Sequence, residues 1–205
     1  MVDVISVHIS KTAGSAFHAV MNQVYRPEQI AYDYDDRPTD PTCPSNCNLT
    51  EWERRTEEFV RRLSPKVRIL HGHFSAFKYK QFFPQARVIT WLRHPVSRLI
   101  SHYFYWKSLP PKEHVIHRAL WERKLSFEEF AEIPHVQNIV ARFYFRGFPL
   151  SKCAFVGIQE QYEQSLQELR QTLRWPRLKT RVVNENQHPG YREAVQALWA
   201  DAAPG

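Results

Sequence analysis

The first apolar segment, Val2 to Ile9, alternates and is rich in β-branched residues, which predicts a strand. Ser15 to Tyr25 then sets Phe17, Val20, Met21 and Val24 at helical spacing, and between the two stands a short polar knot, KTAGS. Tyr32 to Asn48 loses this periodicity and fills with Asp, Pro, Ser and Cys, so it reads as a long loop of the kind that often faces substrate. Thr50 to Leu63 regains a helical pattern, with Thr50 as N-cap and Glu53 as its capping-box partner. Two short apolar runs follow: Val67 to Leu70, which leads into HGHFSAF, and Ala86 to Leu92. Pro95 suits the first turn of a helix running to about Lys107. Ser126 with Glu129 forms a second capping box, His135 to Phe145 reads as a helix, and CAFVGI, 153–158, as a strand followed by a helix to about Leu173. His188 to Ala200 closes the pattern as a last helix. Continuous apolar runs separated by helices predict an α/β three-layer domain around a mainly parallel sheet, with ligands beyond the carboxyl ends of the strands.

With 205 residues, 43% of them hydrophobic, the chain is long enough for one substantial core, and a single domain spanning 1–205 is expected. Its 28 Lys and Arg against 21 Asp and Glu give a formal charge of +7, which favours an anionic partner without choosing among phosphate, sulfate, acidic glycan and nucleic acid. Three cysteines, Cys43, Cys47 and Cys153, fall far short of a disulfide scaffold and read as reduced thiols. The CPSNC pair lacks the second pair that a zinc site needs, so no metal is expected. No stretch approaches the roughly 20 apolar residues of a membrane span, and no signal peptide is evident. A cytoplasmic protein is the expectation.

A strand that turns straight into a helix offers unpaired backbone N–H groups and the positive end of a helix dipole. In KTAGS, Gly14 allows close backbone approach to an anion, Ser15 adds a hydroxyl and Lys11 a compact charge. The nucleotide-kinase loop GxxxxGK[ST] differs, because here Lys precedes the glycine and no second upstream glycine exists. The same five residues also fit a plain turn with a solvated lysine. A second segment, WLRHPVSRLISHYFY, places Arg93 at a strand end and Ser101 two helical turns on, where a guanidinium and a hydroxyl could share one phosphate. Arg93 could equally cap a buried carboxylate, with Ser101 as a small packing residue.

Together these two segments resemble the sulfotransferases that use 3'-phosphoadenosine-5'-phosphosulfate (PAPS), in the branch similar to heparan sulfate 2-O- and 6-O-sulfotransferases and bacterial relatives. HISKTAGSA resembles that branch's H-x-PKT-[AG]-G-[ST]-S, and LRHPVSRLISHY its LR-[DH]-P-x-x-R-x-x-S-x-Y. FVGIQEQYEQSLQEL, 155–169, is similar to its late strand and helix. The resemblance implies a P-loop-like α/β domain in which Lys11, Thr12, Ala13, Gly14, Ser15 and Ala16 surround the 5'-phosphosulfate, while Arg93 and Ser101 hold the 3'-phosphate. It implies PAPS as co-substrate, adenosine 3',5'-bisphosphate (PAP) as product, and an acceptor hydroxyl on a carbohydrate or glycoconjugate, with no nucleic-acid partner. Ser10 departs from the pattern, standing where it carries proline, and the chain stops soon after Trp199 where relatives often continue.

An acceptor hydroxyl must lose its proton, and HGHF sets two imidazoles at the carboxyl edge of the sheet, with an ordinary pKa suited to a base. A similar HGH segment in the 2-O-sulfotransferases implies His73 as the base, with His71 supporting it and Lys11 assisting transfer. Strand capping and simple burial are the competing explanations of the two histidines. A different class of function is a non-catalytic module for acidic glycan or nucleic acid, which the basic balance and the aromatic HYFYW would serve. An ATP- or GTP-using phosphotransferase fits worse, for want of an Mg²⁺-binding Asp after a strand.

Overall fold

The computed structural model describes residues 1–111, 113–178 and 190–201. Its centre is a five-stranded sheet of β1 (Val4–Val7), β2 (Ile30–Asp33), β3 (Ile69–Gly72), β4 (Arg87–Leu92) and β5 (Phe155–Ile158), in the order β2-β3-β1-β4-β5 with every pair parallel. Parallel strands need both faces covered, and these have it. Ile5, Val7, Leu70 and Val88 point to one core with Phe74, Tyr79, Phe143 and Phe148, whereas Val4, Ile69, Ile89 and Trp91 point to another with Phe17, Met21, Leu166 and Leu169. The alternation along each strand thus sorts neighbouring apolar residues into two cores, which is the expected α/β three-layer arrangement.

Helix α1 (Gly14–Val24) follows β1 and buries Phe17, Val20 and Met21, the face that the sequence spacing marks. A short helix α2 (Pro44–Cys47) then leads to α3 (Leu49–Arg62). That helix starts earlier than predicted: the Asn48 side chain accepts the Glu51 N–H at 3.1 Å, so Asn48 rather than Thr50 is the N-cap, and no Thr50–Glu53 box forms. Asparagine directly preceding the first turn outcompetes a threonine that can be helical itself. The long loop is also shorter than predicted, because Tyr32 and Asp33 belong to edge strand β2.

After β3 comes α4 (Ala76–Lys80), and after β4 comes α5 (Pro95–Lys107), with Pro95 in the first turn as expected. Helices α6 (Val115–Glu122) and α7 (Phe127–Ala131) pack on α5 around Tyr103, Ile116, Leu120 and Phe130, and Ser126 and Glu129 make the predicted capping box. His135 to Phe145 is not the regular helix that its pattern suggests. Asn138 takes a left-handed φ of 46°, and Val140–Tyr144 forms one wide turn closed by a 2.9 Å bond from Phe145 N–H to the Val140 carbonyl. Asparagine enters the left-handed region more readily than most residues, and this ends the helical run. Helix α8 (Tyr162–Leu173) packs on β5, and α9 (Tyr191–Asp201) packs on α5; the first two residues of the predicted last helix, His188 and Pro189, lie outside the described residues.

The edge strand β2 is locked at its carboxyl end. The Asp33 carbonyl accepts the His73 N–H at 2.9 Å, and the Asp33 carboxylate, 3% exposed, accepts from Lys78 Nζ at 2.7 Å and the Tyr79 hydroxyl at 2.6 Å. Lys78 also reaches Asp36 at 3.1 Å, and Trp52 Nε1 donates to that carboxylate. A Cβ on Gly72 would lie 1.6 Å from the Asp33 carbonyl oxygen, so only glycine lets the two strand ends approach this closely. Gly72→Ala is expected to destabilise the fold by about 3 kcal/mol or more by parting β2 from β3, read as a lowered urea midpoint. An unchanged midpoint would refute the close-approach argument.

Candidate active site

Because β1 lies between β3 and β4, the segments leaving these three strands meet at one edge of the sheet, the usual ligand position in an open parallel sheet. The first is the loop before α1. Lys11 and Ala13 both take left-handed φ values, 70° and 61°, unusual for residues with a Cβ. The Thr12 hydroxyl, buried, donates to the Ile9 carbonyl at 2.7 Å and braces the turn, so this hydroxyl serves the loop itself. Phe17 N–H makes the first intrahelical bond, to Ala13, which leaves the amides of Gly14, Ser15 and Ala16 without helical partners. Among the described residues no side chain caps this terminus, and no acidic residue occupies its first turn. Gly14 is needed for a reason other than anion approach: a Cβ there would fall 2.0 Å from His8 Nε2.

Two cations stand at this loop. Lys11 Nζ lies 3.7 Å from the centre of the Tyr105 ring, and Arg93, just past β4, donates to the Lys11 carbonyl at 3.3 Å and to the Tyr191 hydroxyl of α9. Burial first, and the Arg93 charge second, bring the Lys11 pKa down to about 8. Ser101 is 1% exposed and sits with Arg98 and His102 on the buried face of α5. Arg98 Nη1 is buried with no hydrogen-bond partner among the described residues. The region therefore concentrates positive charge around an uncapped helix start.

The third segment brings in the histidines. His71, in β3, shares a hydrogen bond with Ser6 at 2.9 Å and stacks on His8 with centroids 5.1 Å apart. His8 stacks in turn on His73 at 4.5 Å, and Tyr34 meets His73 edge-on at 4.9 Å. His73 Nδ1 lies 3.1 Å from the Tyr144 hydroxyl, which also accepts the Ser10 N–H at 3.2 Å. Beside them opens a cleft of about 200 Å³ lined by Lys11, Tyr34, Asp36, His73, Tyr105 and Tyr144 among others. His73 thus faces the cleft, while His71 sits behind His8 in the core. Burial pushes His73 down to about 4 and Asp36 up to about 6.

The structure brings Lys11, Arg93 and the start of α1 together, with His73 at the adjoining cleft. Sequence reasoning gave no role to His8, Tyr34, Asp36 or Tyr144, and named Tyr105 only within the aromatic HYFYW; these residues complete the surroundings. For Tyr34 and Asp36 the only signal was membership of a loop already suspected of facing substrate. Cys43 and Cys47 stay apart from this chemistry: both thiols are free, and the buried Cys43 Sγ takes the Arg37 N–H at 3.3 Å. No group of metal-ligating side chains occurs among the described residues, and none of the described helices is long and apolar enough to cross a membrane.

Five imidazoles here, His8, His71, His73, His102 and His114, are all held below their ordinary pKa, with burial the largest cause in each. In the unfolded chain they take up protons near pH 6.5, so there the unfolded state binds more protons than the folded one. Their contribution is fully present above about pH 6.5 and is lost as pH falls toward 4, at up to about 1.4 kcal/mol per pH unit for each histidine. Urea midpoints measured from pH 7.5 to 4.5 are expected to fall steeply below 6.5. A flat profile would show that these rings are not buried as neutral groups.

The family model described as "Sulfotransferase family" matches residues 3–197. Among solved structures, the sulfotransferase from Alicyclobacillus acidocaldarius is similar at 16% identity with a TM-score of 0.51, covering 98% of this chain and 92% of its own. Mouse sulfotransferase SULT7A1 complexed with PAP is similar at 13% identity with a TM-score of 0.42, over 100% of this chain and 67% of its own. No curated protein sequence matches the chain. The family match spans the β1 loop, the β3 histidines and the β4 arginine alike, and the chain belongs to the sulfotransferase family.

Proposed function

We propose that residues 1–205 act as one PAPS-dependent sulfotransferase domain, transferring the sulfuryl group to a hydroxyl of a carbohydrate or glycoconjugate with His73 as general base. The observation that carries this reading is the joining of Lys11 and Arg93 at an uncapped helix start, beside a cleft that a neutral imidazole faces. Two cations so close favour a bound anion, and the amides of residues 14–16 at the start of α1 add oriented donors. This chemistry fits a ligand with phosphate and phosphosulfate groups.

PAPS, when bound, supplies the activated sulfuryl group. In this reading the amides of 14–16 and Lys11 would hold its 5' end, and Arg93 and Ser101 of α5 would hold the 3'-phosphate. Lys11 leaves the Tyr105 ring to follow the charge that develops on the bridging oxygen, a role suited to a compact ammonium on a flexible stem. His73 would take the acceptor hydroxyl's proton as that oxygen bonds to sulfur, in line with the sulfur–oxygen bond that breaks to release PAP. Its lowered pKa keeps it in the base form throughout the neutral range, at some cost in proton affinity. His71 acts only through His8, as support for the imidazole stack. Tyr34 and Tyr105 give the cleft aromatic faces on which a sugar ring can rest.

Calorimetric titration with PAP beside 5'-AMP and ATP tests the cofactor. Tight binding that needs the 3'-phosphate and falls sharply in Arg93→Ala is expected; equal binding of ATP would overturn the assignment. PAP affinity is also expected to decline as pH rises through about 8, where Lys11 loses its proton, and Lys11→Ala should remove that dependence. For the base, His73→Ala is expected to spare PAP binding and to cut sulfuryl transfer by about 10²–10⁴. Intact turnover in that variant would assign proton removal to another group.

A further inference from the structure

Among the described residues Arg93 meets only neutral oxygens. It donates to the Lys11 carbonyl at 3.3 Å and to the Tyr191 hydroxyl, and it forms no ion pair. Glu160, just past β5, reaches the neighbouring residue instead, where its carboxylate accepts the His94 N–H at 2.9 Å. Neutral partners orient a guanidinium without cancelling its charge, so that charge is left for an anion.

Tyr191 stands 98 positions from Arg93 and belongs to none of the segments that carry the family resemblance. Gly190 leads into α9 with a left-handed φ of 78°, and the Tyr191 ring then packs edge-on against Phe104 of α5, with centroids 6.3 Å apart. Because α5 also begins two residues after Arg93, one helix places both partners. Packing against Phe104 accounts for the ring. It does not account for the oxygen, since a phenylalanine would pack there equally well.

The hydrogen-bond inventory gives that oxygen a use. A guanidinium can only donate, so in the bond between Arg93 and Tyr191 the phenol oxygen is the acceptor. The phenol proton must then point elsewhere, and no described residue accepts it. Of the five N–H groups of Arg93, Lys11 and Tyr191 take two. A phosphate gripped through two of the others leaves the tyrosine in place, with its O–H beside the bound anion.

We propose that Tyr191 is a binding residue for the 3'-phosphate, its oxygen steadying Arg93 while its O–H donates to the same phosphate. The proposal rests on the reading of Arg93 as the 3'-phosphate residue, and it brings α9 into a subsite otherwise built from the end of β4 and from α5.

Calorimetric titration of the whole chain with PAP and with 5'-AMP, which lacks the 3'-phosphate, tests this in wild type and in Tyr191→Phe. The variant is expected to bind PAP about tenfold more weakly, or worse, and 5'-AMP as wild type does, as the loss of a hydrogen bond to a charged group predicts. Replacement of Tyr191 by O-methyltyrosine keeps the oxygen that accepts from Arg93 and removes the proton; the same selective loss is expected there, and this form decides if Tyr191→Phe fails to fold. PAP affinity that is unchanged, or that falls in step with 5'-AMP, would make Tyr191 a packing residue only. A rise in PAP affinity would make it a competitor for Arg93, and either result overturns the proposal. A wild type that binds 5'-AMP as tightly as PAP would instead remove the reading of Arg93 itself, before any variant is compared.

Discussion

The position of β1 in the middle of an all-parallel sheet is the constraint from which the site follows. With β3 on one side and β4 on the other, the segments leaving three strands emerge at one edge, and each contributes one kind of chemistry. β1 contributes the amide-lined turn and Lys11, β3 the imidazoles, and β4 the guanidinium. Parallel pairing makes this convergence unavoidable, since the carboxyl ends of all strands lie on the same side. The helices that cover both faces then fix how far apart those ends can be.

The tightest spacing occurs between β2 and β3. Gly72 admits the Asp33 carbonyl, and the Asp33 carboxylate gathers Lys78 and Tyr79 from α4. Two buried carboxylates share the one ammonium of Lys78, and burial raises Asp36 to about 6. Ion pairs so deep are costly to desolvate, and their value here is geometric: they set the backbone from which His73 and Tyr34 project. A similar economy appears at Gly14, whose missing Cβ makes room for His8 rather than for ligand. Glycine in this site therefore mostly spaces protein against protein.

The two cations and the five neutral imidazoles give the site an asymmetric electrostatic character. Positive charge gathers at the turn, at the end of β4 and at Arg98 of α5, while the ring stack stays uncharged at neutral pH because it is dry. The anionic ligand and the hydroxyl acceptor of the proposed reaction need opposite surroundings, and the sheet edge offers a charged and an uncharged region side by side. Burial, more than any single partner, produces this division.

What the sequence determined by itself was local and periodic. The strands β1, β3, β4 and β5, the start of α1 and α5, and the capping box at Ser126 were legible because residue spacing and end chemistry act over a few positions. KTAGS, Arg93 and the HGH pair were legible for the same reason, each being a short motif at a strand end. Edge strand β2 was missed because four residues beside a polar loop carry too little pattern, and the helix across 135–145 failed because one left-handed asparagine outweighs the surrounding periodicity. Only the tertiary structure decided which side chains meet: that His8 joins His71 and His73, that Tyr144 bonds Ser10 across 134 positions, and that His73 rather than His71 reaches the cleft. Those contacts depend on strand order and on packing between distant segments, and no periodicity along the chain encodes either one.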